Sequence, residues 1–552
     1  MTFNNKSWQK SQTPSLEQLE TARQILHEVQ EGEPVFKSIR RHPLPDGGYV
    51  AKYILVRVYY QLVKNGDLES DPRLLRDIRM KPMRTLSGVT TITVLTKPHP
   101  CPGNCIFCPD DELLPKSYLR KEPGAARAFQ NNFDPFLQVS SRLESYQAIG
   151  HPTNKIELLI LGGCWTAYPQ DYQEWFIQRC FDALNGTESG SLVEAQKFNQ
   201  TTDHRNVGLV IETRPDEVNP EVLVRLRKLG VTKVQMGAQS FDDHILALNR
   251  RGHTAHTTLI ATALLRAAGF KIVIHWMPNL LGATLESDRI DFARMWDGGF
   301  CPDEIKIYPT QLVESADLYK LWQEGKYDPY STEQLVQLIA DIKPSIPPYC
   351  RVNRVIRDIP ADYIVAGSKR SSLRQDALKE LARRGQQCRC IRCREVRGQV
   401  IDPGQLEYQD LPYLAAGAHE HFLSFDTPDG HLAAYLRLSI PANFNENEFE
   451  NTRRNLFQRM PELDGAAIVR EVHVYGQSIE VGNEQEGAAQ HIGLGTSLLK
   501  KAEEITGQVG LKKLVVISAV GTREYYRSRG FSQGDLYMTK TLGTIPIPKK
   551  AA

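Results

Sequence analysis

Three cysteines in the run HPCPGNCIFCP, Cys101, Cys105 and Cys108, have the spacing C-x3-C-x2-C and carry the sharpest chemical signal in the 552-residue chain. Three thiolates can hold three irons of a 4Fe–4S cubane and leave the fourth iron without a protein ligand. An open iron can chelate S-adenosylmethionine (SAM) and pass an electron to its sulfonium, releasing a 5′-deoxyadenosyl radical. A structural zinc ion needs four ligands in a closed shell, so a zinc knuckle with a remote fourth ligand is the competing reading. The aromatic Phe107 before the last cysteine, and the position of the triad just after an apolar β-rich run, favour the cluster.

A second triad, Cys388, Cys390 and Cys393, has the spacing C-x-C-x2-C in an irregular, arginine-rich stretch. That spacing suits structural zinc pinning a segment with little core of its own. The fourth ligand is open between Cys350, Cys301 and a histidine. A third feature is the Q-x-x-G-x-G turn formed by Gln490, Gly493, Leu494 and Gly495, which leads into an amphipathic helix over Thr496–Ile505. Backbone N–H groups at such a turn cradle a pyrophosphate. On the preceding strand, Glu471 and His473 are candidate bases for deprotonating an amine.

These residues need a scaffold. Apolar β-rich runs recur at Val89–Thr96, Ile156–Leu161, Val207–Ile211, Val231–Gly237, Lys271–Met277 and Glu304–Tyr308, with helical stretches between them. Alternating strands and helices imply a parallel sheet, and about six units imply an incomplete (β/α) barrel. Barrel ligands bind at the C-terminal ends of strands, where this chain has Gly162 and Gly163, then Glu212 and Arg214, then Gln239 and Ser240. A bare glycine backbone, a carboxylate for a ribose or ammonium, and a guanidinium for a carboxylate would suit SAM. Further strands over His421–Phe425, Leu432–Leu438, Ala466–Tyr475 and Leu514–Ala519 form a smaller α/β domain. The organisation expected is a basic helical region at 1–85, a partial barrel at 86–342, a cysteine-bearing linker or strap at 343–400 and a second α/β domain at 401–552.

Net charge is only +2, so the whole molecule is not an obvious polyanion binder. Locally, residues 37–97 carry 12 Lys/Arg against 5 Asp/Glu, interleaved with Tyr53, Tyr59 and Tyr60, which fits either a solvated helical face or an RNA surface. The strap adds Lys369, Arg370, Arg374, Arg383, Arg384, Arg389, Arg392, Arg394 and Arg397. Ten cysteines in a chain whose first residues lack a signal-peptide core argue for metal or redox chemistry and a cytoplasmic location. No apolar run is long enough to span a bilayer.

From about Arg79 to Gly530 the chain resembles the catalytic subunit of the Elongator complex and its stand-alone prokaryotic relatives. The resemblance rests on KPMRTLSGV, KPHPCPGNCIFCP, KIELLILGG, ETRPD, NRRGHT, MPNLLGAT, WDGGFCPDEIKIYPT, RDIPADYIVAG, REVHVYG, QHIGLG and GTREYYRSRGF, in that order. It implies a radical SAM partial barrel joined by the cysteine strap to a GCN5-related N-acetyltransferase domain that binds acetyl-CoA. The implied activity is carboxymethylation of C5 of wobble uridine in tRNA: a radical drawn from the acetyl methyl adds to C5, and the thioester is then hydrolysed. Carried onto this chain, Cys101, Cys105 and Cys108 ligate the cluster. Lys155, Glu471, Val472, His473, Val474, Gln490, Gly493, Leu494, Gly495 and Tyr526 surround acetyl-CoA. Tyr526, with Tyr525 as the weaker candidate, lies near the thioester, and Lys306 is an active-site cation. The resemblance also points to zinc at the second triad, to an anticodon stem-loop as partner, and to a protein acting without accessory subunits and able to form a homodimer. Cys164-Trp165 stands where many relatives have Thr-Phe. The rival reading is a protein lysine acetyltransferase whose cluster is structural, with Glu471 or His473 as its base.

Overall fold

The structure is a computed structural model that describes residues 14–85, 87–397, 401–444, 446–475 and 493–543, without the side chains of Met83 and Arg84. Gln490 therefore lies outside the described residues, as do residues 1–13 of the N-terminal region. No described helix is long and apolar enough to cross a membrane.

The first layer is a seven-stranded, wholly parallel sheet. Its strands are β1 (Thr90–Leu95), β2 (Lys155–Leu161), β3 (Arg205–Thr213), β4 (Lys233–Gln239), β5 (Lys271–Trp276), β6 (Glu304–Ile307) and, beyond a short β7 (Leu312–Val313), β8 (Arg351–Val355). They follow chain order across the sheet, β1-β2-β3-β4-β5-β6-β8, the curled half-barrel arrangement expected of consecutive βα units. The seventh strand lies inside the stretch read as linker. Its sequence, RVNRV, is only half apolar and gives little strand signal on its own. β7 pairs with β9 (Ile364–Ala366) in a separate two-stranded ladder.

Local chemistry explains the crossover helices. Pro220–Lys228 starts with Asn219 accepting from the Val222 N–H and with proline at the first helical position. Ala255–Ala267 starts with Thr254 accepting from the Thr257 N–H. The chain leaves these helices through Gly230 and Gly269, both in the left-handed region.

Four N-terminal helices, Leu16–Gln30, Val35–Arg41, Lys52–Asn65 and Pro72–Ile78, enclose their own core around Ile25, Leu26, Ile54, Leu55, Tyr59 and Ile78. Arg79 ties this unit to the barrel by donating to the Gly150 carbonyl at 2.6 Å.

The C-terminal sheet contains β10 (Glu407–Ala415), β11 (Ala418–Asp426), β12 (Leu432–Pro441), β13 (Ala466–Val474), β14 (Lys513–Val516), β15 (Ser532–Gln533) and β16 (Met538–Thr541), ordered β10-β11-β12-β13-β14-β16-β15. Within it β13 and β14 alone run parallel, from Ala466 opposite Lys513 to Val469 opposite Val516. β13 then continues to Val474 while the other strand stops, so the two diverge. Helix Leu494–Gln508 packs over β12 and β13. The two sheets share one continuous hydrophobic core. The strap bridges them: the Ile391 N–H donates to the Cys350 carbonyl just before β8, and the Val396 N–H donates to Leu432 at the start of β12.

Candidate functional site at the two ends of the barrel

Cys101, Cys105 and Cys108 follow β1 and line a cavity of about 340 Å³ at the C-terminal ends of the strands, together with Gly163, Glu212, Arg214, Gln239 and Lys306. Gly162 and Gly163 have φ of 150° and 85°, and a Cβ on Gly162 would lie 1.8 Å from Thr96 Oγ1. Only glycine fits there. Glu212 accepts from the Tyr118 hydroxyl at 2.8 Å. Arg214 is held by Asp216 and by the Arg251 carbonyl, and its remaining Nη1 has no partner among the described residues. Gln239 sits in the left-handed region with Oε1 unpartnered among the described residues. Ser240 is buried and accepts from the Asp242 N–H. Cys164 is a packed thiol between Thr166 and Thr213, and burial raises its pKa.

The residues fit an iron–sulfur cluster and SAM. Burial, then the neighbouring Cys105, pushes the Cys108 thiol up to about 12, so proton release must accompany metal binding. A single zinc ion with Zn–S of about 2.3 Å draws its sulfurs to about 3.8 Å apart. The sulfurs of Cys388, Cys390 and Cys393 lie within 4.8 Å of one another and suit one ion; the first triad forms no group that tight. Neither Cys350 nor Cys301 joins the second group; Cys301 Sγ reaches the carbonyls of Trp296 and Leu414. Among the strap cations, Arg384 and Arg394 are bound to Asp341 and Asp426 and Arg374 to the Val352 carbonyl. Lys369, Arg383, Arg389 and Arg397 remain exposed.

Below the cavity the lumen is polar, unlike the branched apolar filling of most barrels. Lys306 donates to Gln235, lies 3.8 Å from Glu212, and does not pair with Asp303 or Glu304. His275 bonds the same Gln235 oxygen at 3.1 Å. The next layer pairs Lys233 with Glu157 at 2.5 Å and Lys271 with Glu304 at 2.7 Å.

The C-terminal sheet docks on the N-terminal end of the barrel through a buried charge network. Arg470 grips Asp303 with two bonds of 2.7 Å and also binds Glu420; Arg437 joins Asp303 to Glu471; and Lys271 bridges Glu304 and Glu471. Burial alone would raise the Glu471 pKa, but Lys271 and Arg437 outweigh it and hold the carboxylate at about 2. Burial lowers His473, stacked on Tyr435 and beside a tilted Tyr475, to about 4. Val472 and Val474 lie on the same strand, half-buried against the core.

At the glycine turn, Gly493 caps helix Leu494–Gln508 in the left-handed region, and no side chain among the described residues caps it. A Cβ on Gly495 would lie 2.5 Å from the Tyr525 hydroxyl and 3.6 Å from Val474. Tyr525 is thus the tyrosine at the turn, its ring covered by the Arg529 guanidinium 3.5 Å from the ring centre. Tyr526 packs inward against Phe531, and burial raises its pKa. Lys155 starts β2 in register with Arg205, whose Cβ meets Gly521 of the C-terminal module. Burial and then Arg205 lower the Lys155 pKa.

Partial parallel barrel, cysteine triad and glycine pair together define a radical SAM protein. The Radical SAM superfamily matches residues 99–293 and the Radical_SAM C-terminal domain matches 302–383, and this class carries a 4Fe–4S cluster and SAM. The chain is 44% identical over 467 residues to the tRNA uridine(34) acetyltransferase of Dehalococcoides mccartyi, covering 83% of this chain and 99% of that protein. It is 40% identical to the Methanocaldococcus infernus protein of the same name (87% and 91% covered) and 37% identical to human Elongator complex protein 3 (85% and 87% covered). The solved M. infernus Elp3 lacking residues 1–46 superposes with a TM-score of 0.71 at 38% identity, covering 82% of this chain and 99% of that one. This chain belongs to the family of tRNA uridine(34) acetyltransferases and Elongator complex protein 3.

The reading from sequence assigned no role to Arg251, which sits in the quoted NRRGHT segment, to Tyr118 or to the interface network. The first two are visible only once the loops close over the cavity, and the third only once the sheets dock.

Proposed function

We propose that this chain carboxymethylates C5 of the wobble uridine of tRNA, using SAM as radical source and acetyl-CoA as carbon source. The observation that carries the reading is the single buried charge network joining the cysteine-lined barrel to the C-terminal sheet, which makes one body of two cofactor-type sites. When bound, the cluster and SAM supply a carbon-centred radical able to activate an otherwise inert methyl group.

The chain's own residues do the rest. Cys101, Cys105 and Cys108 hold the cluster. The Gly162–Gly163 backbone, Glu212, Gln239 and the one free nitrogen of Arg214 receive SAM. The backbone N–H groups at Gly493–Gly495 receive a pyrophosphate, and the bare Gly495 lets the Tyr525 hydroxyl come close to the turn. We assign this sheet to the GCN5-related acetyltransferase type, which the divergence of β13 from β14 supports. Tyr525 offers a hydroxyl beside the turn, the buried Tyr526 is the tyrosine we assign near the thioester, Lys155 is a cation at the shared edge, and Lys306 a cation in the lumen. Zinc at Cys388, Cys390 and Cys393 clamps the strap, and the exposed cations there and on the N-terminal helices hold phosphates of the anticodon stem-loop.

Amine acetylation fits less well. A base works best with a pKa near the operating pH, whereas Glu471 is an ion-paired carboxylate and His473 is a buried, weakly basic imidazole. The test is anaerobic incubation of the reconstituted protein with reductant, SAM, acetyl-CoA and unmodified tRNA, then mass spectrometry of the nucleosides. 5-Carboxymethyluridine should form and should vanish in Cys105→Ala. Acetyl-lysine on a protein with no modified uridine would favour the rival.

A further inference from the structure

Arg251, in the NRRGHT segment, belongs to none of the roles above. Its side chain is almost wholly buried, and Nη1 donates to Cys105 Sγ at 3.4 Å. Nη2 donates to the Gly237 carbonyl at the end of β4, and Nε has no partner among the described residues. Three further contacts make the surrounding segment a bracket for the cysteine loop. The Ile106 N–H donates to the Asn249 carbonyl at 3.3 Å. Arg214 donates to the Arg251 carbonyl at 2.8 Å. Gly103 lies so close over Arg214 that a Cβ there would stand 1.9 Å from Nη1. Arg250, which turns the chain to aim Arg251 inward, has φ 51°, a conformation that is costly for a side-chain-bearing residue and kept where the surroundings enforce it.

We propose that Arg251 is a positioning residue that donates a hydrogen bond to the sulfur of Cys105 and sets the reduction potential of the cluster. The inference rests on the reading that the first triad holds that cluster. A buried guanidinium bonded to a ligand sulfur stabilises the more negative, reduced form, so it raises the potential and makes one-electron loading by an external reductant easier. The planar fork is what allows one group to hold the β4 carbonyl and the thiolate together, which an ammonium cannot reproduce.

The test compares wild type with Arg251→Met, Arg251→Lys and Arg251→Gln, each reconstituted anaerobically, by iron and sulfide content, circular dichroism and an EPR-monitored redox titration. Wild type should load a full cluster; if it does not, the cluster reading itself fails. All three variants should keep the fold, and those that load should titrate below wild type, Met lowest. If Met fails to load, the comparison is made on Lys and Gln. A variant that loads fully and titrates at the wild-type potential overturns the proposal. Loss of iron from all three with the fold intact overturns it too, since Arg251 would then retain the cluster rather than tune it.

Discussion

Asp303 is the residue through which the two sheets are most tightly joined, and its replacement tests how much that joint contributes. It has no solvent exposure and receives two bonds of 2.7 Å from Arg470, one of 2.8 Å from the Ile272 N–H, and the Arg437 guanidinium at 3.3 Å. Removing one partner of a buried pair costs about 3–5 kcal/mol, because the other charge stays buried. In Asp303→Asn, Arg470 keeps Glu420 and the Phe270 carbonyl, and Arg437 keeps Glu471. The loss should therefore fall at the lower end, about 3 kcal/mol. With a urea slope of about 2 kcal/mol per molar this moves the midpoint down by about 1.5 M. The five tryptophans from Trp165 to Trp322 lie in the barrel module, so their fluorescence follows it, while hydrogen exchange of peptides from 432–475 follows the C-terminal sheet. The sheet should open first, at lower urea than in wild type. Removing the half-exposed Lys501–Glu504 pair should leave the midpoint unchanged. An Asp303→Asn protein within about 0.5 kcal/mol of wild type would refute the claim that this network holds the modules together.

The same network predicts a pH window. Glu471 titrates near 2 in the folded protein against an ordinary 4.5, so its contribution is complete above about pH 4.5 and lost as pH falls towards 2; hydrogen exchange of β13 should rise across that window and not above it. Gly495→Ala forces the Tyr525 hydroxyl away from a Cβ 2.5 Å distant, an overpacking of at least about 1 kcal/mol, and should weaken acetyl-CoA binding about tenfold by calorimetry while leaving cluster loading intact. Cys390→Ser should lower bound zinc from about one equivalent to near none and loosen exchange protection around Ile391 and Val396; full zinc retention would remove the strap triad as the metal site.

Much of the barrel was legible because its strands announce themselves by alternation. KIELLIL, KVQMGAQ and EIKI place apolar residues at every second position on the buried outer face, and the polar residues between them, Glu157, Gln235 and Lys306, line the lumen. β8 was not, since Arg351 and Arg354 look solvent-seeking until Glu395 and Asp358 are brought to them. The cysteine triads and glycine turns were readable because their chemistry is set by spacing within a few residues. Glu471 could not be read as an interface carboxylate, because its partners Lys271 and Arg437 lie 200 and 34 positions away. The order of Tyr525 and Tyr526 at the turn likewise depends on how the helix Arg523–Arg527 is rotated, which two adjacent tyrosines do not reveal.

The central claim is that SAM chemistry in the barrel acts on the acetyl group held by the C-terminal module. It is tested most directly by supplying acetyl-CoA deuterated in the methyl group, with unlabelled SAM and unmodified tRNA, and measuring deuterium in the 5′-deoxyadenosine released. The account predicts one deuterium in that product and two in the carboxymethyl group on uridine. Unlabelled 5′-deoxyadenosine formed alongside modified uridine would contradict it.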